Sequence, residues 1–280
     1  MFIKSLSVLG SPIEHSKSPL IHNAAYSVLG LDWDYQRNEV RKGGLRSFVE
    51  GLDENWLGLS LTMPLKEEAA KFADSVDKAA EATGAVNTLV RTESGWQGYN
   101  TDVFGIVQAV HIANLGELKR ILIIGSGATA TSAMVAIRQL APAAQVLFYA
   151  RNSKTRDRLI DAAKNLGLRA RKTSNLKRAV NASDLTIATL PGGALNEDAA
   201  KLQKWRRFKP SGAVMDVAYQ PWPSSFAQLW LDKNQPIISG LEMLLWQAVA
   251  QIRIFTSNDP ALPLPNEVAV VEAMRHSLEQ

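Results

Sequence analysis

Two groups of residues have types and spacings that can carry chemistry. The first is Arg120 to Ala130, R-I-L-I-I-G-S-G-A-T-A. A short apolar run leads into G-x-G-x-x-A at Gly125, Gly127 and Ala130, and a helical stretch follows from Ala128 to about Leu140. This is the pattern of the first turn of a dinucleotide-binding unit. Gly125 allows the tight turn. Gly127 lacks a Cβ, so a pyrophosphate can approach the backbone. Ala130 is small enough for the helix to lie close to its strand, and the helix N-terminus presents free N–H groups to the phosphates. A cofactor with a free ribose 2′-hydroxyl is usually met by an acid about 20 residues further on. Here the chain reads Q-V-L-F-Y-A-R-N-S-K, with Arg151 in that place and Lys154 close behind. A guanidinium fork matches a phosphate in geometry and charge. The expected cofactor is therefore NADP rather than NAD.

The second group is a set of polar clusters upstream of the glycine turn. In G-S-P-I-E-H-S-K-S-P, Ser16 and Ser18 sit two apart in a turn leading into a helix. Two hydroxyls beside helical N–H groups can receive a small carboxylate, and the same serines can also cap the helix. L-S-L-T-M-P-L-K holds Ser60, Thr62 and Lys66. Pro64 ends a strand there and puts Lys66 at a helix start. A cation is unfavourable in that position, so Lys66 is either a functional amine or a solvated surface lysine. G-A-V-N-T-L holds Asn87 and Thr88, and G-Y-N-T-D-V-F-G holds Asn100, Thr101, Asp102 and Gly105. Two Asn-Thr pairs so close together are poorly explained as two helix caps.

The elements that must position these residues follow from periodicity and breakers. Strands are expected at Lys4–Gly10, Trp33–Val40, Trp56–Thr62, Val86–Arg91 and Gly95–Tyr99, with helices at Pro19–Leu29, Gly43–Gly51, Leu65–Phe72 and near Val76–Thr83. A helix from Asp102 to about Asn114 leads into the glycine turn. Strands at Ile121–Ile124, Gln145–Tyr149, Leu185–Ala188 and Ala213–Val217 then alternate with helices, which implies a doubly wound parallel sheet. After Ile237–Gly240 come a long amphipathic helix to about Phe255, a Pro-rich link and a last helix, Glu267–Leu278. The expected fold class is α/β with two domains. An open α/β substrate domain takes 1–102 plus 239–280, and a Rossmann-type NADP-binding domain takes 103–238.

Composition narrows the partners. The chain has 280 residues, 46% hydrophobic and 21% charged, with no cysteine. Thiol nucleophiles, disulfides and thiolate metal sites are thereby excluded. Net charge is +4, with 31 basic residues interspersed among 27 acidic ones. The cluster Lys204–Lys209 reads as a solvated helix end, so no nucleic-acid partner is expected. No apolar run reaches 18 residues, and Met1–Gly10 carries no long apolar leader, so neither a membrane span nor a secretory signal is expected and the cytoplasm is the expected compartment. His22, His111 and His276 are expected to be structural or exposed, and His15 lies in the serine turn. No His/Asp/Glu spacing points to a metal.

Taken in order, S-K-S-P, T-M-P-L-K, G-A-V-N-T, N-T-D-x-x-G, G-S-G-A-T-A, D-V-A-Y-Q-P and G-L-E-M-L-L-W-Q-A resemble the shikimate dehydrogenase family over nearly the whole chain. The resemblance implies reversible NADP-dependent reduction of 3-dehydroshikimate to shikimate, on the route to aromatic amino acids. It implies that Ser16 and Ser18 hold the substrate carboxylate and that Lys66 and Asp102 form the catalytic pair. It places Ser60, Thr62, Asn87 and Gln247 at substrate hydroxyls and Tyr219 near the carboxylate and nicotinamide. On the cofactor side it implies Ser126, Ala128 and Thr129 beside the glycines, Asn152 beside Arg151, and Thr189, Leu190 and Gly240 further on. The chain departs from the family's habit at Ser60 (often Asn), at Ser239 (often Asp) and at the second NADP arginine, where Lys154 or Arg156 would substitute. The expected state is a monomer or homodimer acting on a small molecule. Other readings are a quinate/shikimate dehydrogenase using NAD, a methylenetetrahydrofolate dehydrogenase-like enzyme, and a non-catalytic shikimate-binding paralogue. Ser18 and Arg151 point away from the first. The two serines and the N-T-D cluster disfavour the second. The last would be expected to have lost Lys66 or Asp102.

Overall fold

The computed structural model describes residues 4–279. Residues 1–3 and 280 lie outside it, and with them the ends of the expected spans 1–102 and 239–280 and the start of the Met1–Gly10 segment. The described chain divides into two compact units, one running up to Gly105 and resuming at Leu244, the other spanning Ile106–Met243.

The first unit contains β1 (Lys4–Gly10), α1 (Ser18–Leu29), β2 (Trp33–Glu39), α2 (Leu45–Glu50), β3 (Trp56–Leu61), α3 (Lys66–Phe72), β4 (Ser75–Val76), α4 (Lys78–Thr83), β5 (Thr88–Thr92) and β6 (Gly95–Tyr99). It also takes the start of α5 (Asp102–Ile112). The second unit contains β7 (Arg120–Ile124), α6 (Ala128–Leu140), β8 (Gln145–Tyr149), α7 (Ser153–Asn165), β9 (Arg169–Lys172), α8 (Leu176–Ala182), β10 (Leu185–Ala188), α9 (Asn196–Gln203), β11 (Ala213–Asp216), α10 (Ser225–Leu231) and β12 (Ile237–Ser239). Then α11 (Gly240–Ser257) returns the chain to the first unit, which α12 (Glu267–Glu279) completes.

The first sheet runs β2-β1-β3-β5-β6-β4. β1 pairs parallel with β2 and β3, whereas β5 is antiparallel to both β3 and β6. Because β5 is reversed, its start lies at the same sheet end as the finishes of β1, β3 and β6. That end therefore collects the residues after Gly10, after Leu61, before Thr88 and after Tyr99. The second sheet is wholly parallel, in the order β12-β11-β10-β7-β8-β9. This is the doubly wound order that reverses at its first strand, here β7, and such sheets bind ligands beyond the carboxyl ends of the strands at the reversal.

Local signals account for the helix ends. Asp77 caps α4 by accepting from the Ala80 N–H, and Gly84 closes it at φ +64°. Gly30 closes α1 at φ +65°. A left-handed residue at these positions favours glycine. Two strands were not foreseen from the sequence. β4 has only two residues, and β9 is R-A-R-K at the sheet edge, with three of its four residues exposed. Charged side chains suit such an edge because they discourage further pairing.

Leu9, Leu45, Leu59, Leu61, Leu65 and Leu89 form a buried layer between the first sheet and helices α2 to α4. Each such leucine contributes about 1.5–3 kcal/mol by leaving water. In the second unit Leu122, Ile124, Val180, Val214, Phe226 and Trp230 form a corresponding layer.

Gly10 ends β1 in a crowded place. A Cβ there would stand 2.4 Å from the Thr62 Cγ2 and 2.9 Å from the Met63 carbonyl oxygen. The loops after β1 and β3 meet over this glycine, joined by the bonds Thr62 N–H to Leu9 O (2.9 Å) and Ser11 N–H to Met63 O (3.0 Å). Gly10→Ala is accordingly expected to lower stability by about 1–3 kcal/mol, as overpacking does. Urea unfolding checks this, and an unchanged midpoint would contradict the close approach.

Candidate active site

Lys66 is the first residue of α3, and its backbone is held from several sides. The preceding Leu65 is fully buried, and the Lys66 carbonyl accepts from the Val86 N–H at 2.9 Å. Glu68, on the same helix, accepts from the N–H groups of Gly43 and Leu45 and so caps α2, which has no cap of its own. The Lys66 ammonium meets the Asp102 Oδ2 at 2.5 Å. The Lys66 side chain keeps 13% of its surface exposed, the Asp102 side chain 1%. Asp102 opens α5, where the helix dipole favours a negative charge.

The other carboxylate oxygen is set by Asn87, and each step of that assignment is forced. The Thr101 backbone N–H can only donate, and it points at the Asn87 Oδ1 (2.8 Å), which also accepts from the Thr88 hydroxyl (2.9 Å). The Asn87 Nδ2 must therefore face the other way. It donates to the Asp102 Oδ1 at 2.8 Å and to the Gln247 Oε1 at 3.2 Å. Both Asp102 oxygens thus accept, one from an ammonium and one from an amide. The two Asn-Thr pairs interlock through the Thr101 N–H and the Asn87 Oδ1, and Asn100 also accepts from the Asp102 N–H at the start of α5 (3.1 Å).

A second buried layer supports Asn87. The Gln251 Nε2 donates to the Asn87 carbonyl (3.3 Å) and to the Thr88 hydroxyl (3.0 Å). The Gln251 Oε1 then accepts from the Ser60 hydroxyl (3.1 Å) and from the His22 Nε2 (3.2 Å). His22 consequently carries its proton on Nε2 and accepts on Nδ1 from the Tyr26 hydroxyl at 3.1 Å. It stacks on Tyr35 with ring centroids 3.9 Å apart. Burial pushes its pKa down to about 3, with the Gln251 hydrogen bond opposing the shift. His22 is structural as the sequence led one to expect, while His111 and His276 are exposed.

The remaining substrate candidates fall into two sorts. Ser16 and Ser18 lie at the start of α1, where the N-cap position is Lys17 and the side chain of Lys17 makes no cap. The Ser16 hydroxyl accepts from the Ser18 N–H at 3.3 Å. Among the described residues the hydroxyls of Ser18 and Thr62 have no partner, so both stay available to a ligand. Ser60, by contrast, is 4% exposed and donates to Gln251, so its hydroxyl faces inward and not toward a substrate. Tyr219 is half-buried in the segment after β11 of the other unit. Gln251 had no place among the expected site residues. Its signal was available, since it lies one turn after Gln247 and so shares its helix face.

In the second unit the glycine turn joins β7 to α6. Gly125 has φ +122°, and a Cβ on it would stand 2.3 Å from the Thr189 hydroxyl. A Cβ on Gly127 would meet nothing within 4 Å, and Gly127 opens α6 with no side chain capping that helix. Ala130 is fully buried against its strand, while Ala128 and Thr129 begin the helix half-buried. Open space at Gly127 beside an uncapped helix start fits a pyrophosphate. Ser126 shares a 2.7 Å hydrogen bond with Thr155 of α7. Other expected cofactor residues are used by the fold. Asn152 caps α7 by accepting from the Thr155 N–H, and Thr189 donates to the Ile124 carbonyl at 2.9 Å. Leu190 packs on the second core layer. Gly240 lets its backbone pass Val217, whose carbonyl oxygen would lie 2.2 Å from a Cβ. Arg151 and Lys154 are exposed, while Arg156 is drawn against Asp157.

A doubly wound unit with an open glycine turn, carried by the same chain as a buried Lys–Asp pair, defines a dinucleotide-dependent oxidoreductase. Comparison narrows this class. Residues 8–89 match the shikimate dehydrogenase substrate-binding domain. The NADP-dependent shikimate dehydrogenase of Microcystis aeruginosa is 32% identical over 98% of this chain and 96% of its own. Shikimate dehydrogenase from Mycobacterium tuberculosis superposes with a TM-score of 0.84 at 36% identity, covering 99% of both chains. The Thermus thermophilus shikimate 5-dehydrogenase, solved with NADP(H) and shikimate, gives 0.82 at 26% identity over 98% of this chain and 100% of that one. The chain belongs to the shikimate dehydrogenase family. Among the described residues no helix is long and apolar enough to cross a membrane.

The buried His22 makes stability depend on pH in a definite sense. Folded His22 stays neutral down to about pH 3, whereas the unfolded chain protonates near 6.5. Acidification below 6.5 therefore favours the unfolded state. Between pH 7 and pH 5 this costs about 2 kcal/mol. Urea midpoints are expected to fall more steeply over that range in the wild type than in His22→Gln. Parallel curves would show that His22 protonates as freely folded as unfolded.

Proposed function

We propose that this protein is a shikimate dehydrogenase that reversibly reduces 3-dehydroshikimate to shikimate with NADPH. The observation that carries the reading is the Lys66–Asp102 pair at 2.5 Å, oriented by Asn87 at the sheet end where the polar clusters collect. When bound, the cofactor supplies the hydride taken up by the carbonyl carbon. Everything else is done by side chains of this chain.

Ser16 and Ser18 take the substrate carboxylate at the start of α1, where the helix dipole favours an anion. Thr62 and Gln247 meet ring hydroxyls; Asn87 holds Asp102 still and reaches a ring hydroxyl with the Nδ2 hydrogen that Gln247 gives up on turning to the substrate. Lys66 sets its ammonium against the carbonyl oxygen, where negative charge develops as the hydride arrives. It stabilises that charge and passes a proton to the new alkoxide. Asp102 keeps the ammonium aimed and accepts from a neighbouring substrate hydroxyl. In the oxidising direction the neutral amine takes the hydroxyl proton back. Gly125 and Gly127 receive the pyrophosphate at the start of α6, and Arg151 with Lys154 receives the 2′-phosphate.

Lys66→Ala tests this most simply, with shikimate and NADP+ as substrates. The loss of a general acid is expected to lower kcat by about 10²–10⁴-fold, with a smaller change in KM. Near-normal kcat with a raised KM would show that Lys66 only binds substrate.

A further inference from the structure

Arg151 is not free in the structure. Its Nη2 donates to the Ala194 carbonyl at 3.1 Å and stands 3.7 Å from the Asp198 Oδ2. Asp198 lies in the first turn of α9, the helix after β10, whereas Arg151 follows β8. β7 sits between β8 and β10 in the sheet. The Arg151 side chain therefore crosses the end of β7, above which the glycine turn opens. The charges also bear on Tyr149. Its hydroxyl is pushed up first by burial and then by Asp198, with Arg151 opposing.

The two partners differ in their hydration. The Arg151 side chain is 73% exposed, but that of Asp198 only 15%. An arginine that turns to a phosphate keeps a partner. The carboxylate it leaves behind loses its counter-ion, has little water to replace it, and stands beside a group of like charge. A ribose 2′-hydroxyl poses no such conflict, because it can donate to a carboxylate. The carboxylate that faces Arg151 thus comes from α9 and not from the region after β8.

We propose that Asp198 is a specificity-determining residue that offsets Arg151 and narrows the preference for NADP over NAD. The proposal rests on the reading that Arg151 meets the 2′-phosphate. Its effect is electrostatic, so it weakens with added salt.

The test uses the full chain as wild type, Asp198→Asn and Arg151→Ala, with Kd for NADP+ and for NAD+ measured by calorimetric titration at low and high salt. Asp198→Asn is expected to tighten NADP+ by about fivefold at low salt, from the scale of such ion pairs, and not to tighten NAD+. Arg151→Ala is expected to weaken NADP+ selectively. If Asp198→Asn leaves the ratio of the two Kd values unchanged, or moves it toward NAD+, while Arg151→Ala still weakens NADP+, the proposal fails and the Arg151 reading stands. If Arg151→Ala leaves the NADP+ Kd untouched, the reading falls and the proposal with it.

Discussion

The hydrogen bond from the Asn87 amide to Asp102 is the constraint on which the site depends. A carboxylate 1% exposed is costly to bury, by several kcal/mol even after relaxation. The cost is tolerated only where both oxygens find good donors. Asp102 has the Lys66 ammonium on one oxygen and the Asn87 amide on the other, and it begins a helix. Asn87 is fixed in turn because its carbonyl side faces a backbone N–H that cannot accept. The chain of forced orientations runs on through Gln251 to His22, so neither amide can flip without leaving a buried group unpaired. The result is an ammonium that is aimed yet keeps enough exposure to meet a ligand.

The sheet topology makes this possible. An all-parallel arrangement would leave the start of β5 at the far end of the sheet from the finish of β3. Reversing β5 brings Asn87 beside Leu61, whose N–H donates to the Asn87 carbonyl at 2.7 Å. In the second unit the requirement is different, since a dinucleotide needs empty space and unpaired N–H groups. Gly127 supplies the space and the uncapped α6 supplies the donors.

Much of this was legible in the sequence because it rests on local rules. The glycine turn, the alternation of strands with helices, and the strand ends marked by Pro64 and by the two Asn-Thr pairs all announce themselves within a few residues. What stayed hidden was set by partners far along the chain. Ser60 is an unremarkable strand residue until Gln251, 191 positions later, takes its hydroxyl. The acid facing Arg151 comes from α9, where no rule based on spacing after β8 would seek it. β9 went unseen because an edge strand of R-A-R-K carries no apolar alternation.

The Lys66–Asp102 site is proposed to serve shikimate, and the glycine-turn unit NADP. The most direct test is initial-rate absorbance of the reduced nicotinamide, with shikimate or quinate crossed against NADP+ or NAD+. Shikimate with NADP+ is expected to be the fastest of the four pairings, with quinate far slower on either cofactor. Quinate with NAD+ outrunning it, or no turnover in any pairing, would show that this site and this glycine turn do not serve shikimate and NADP.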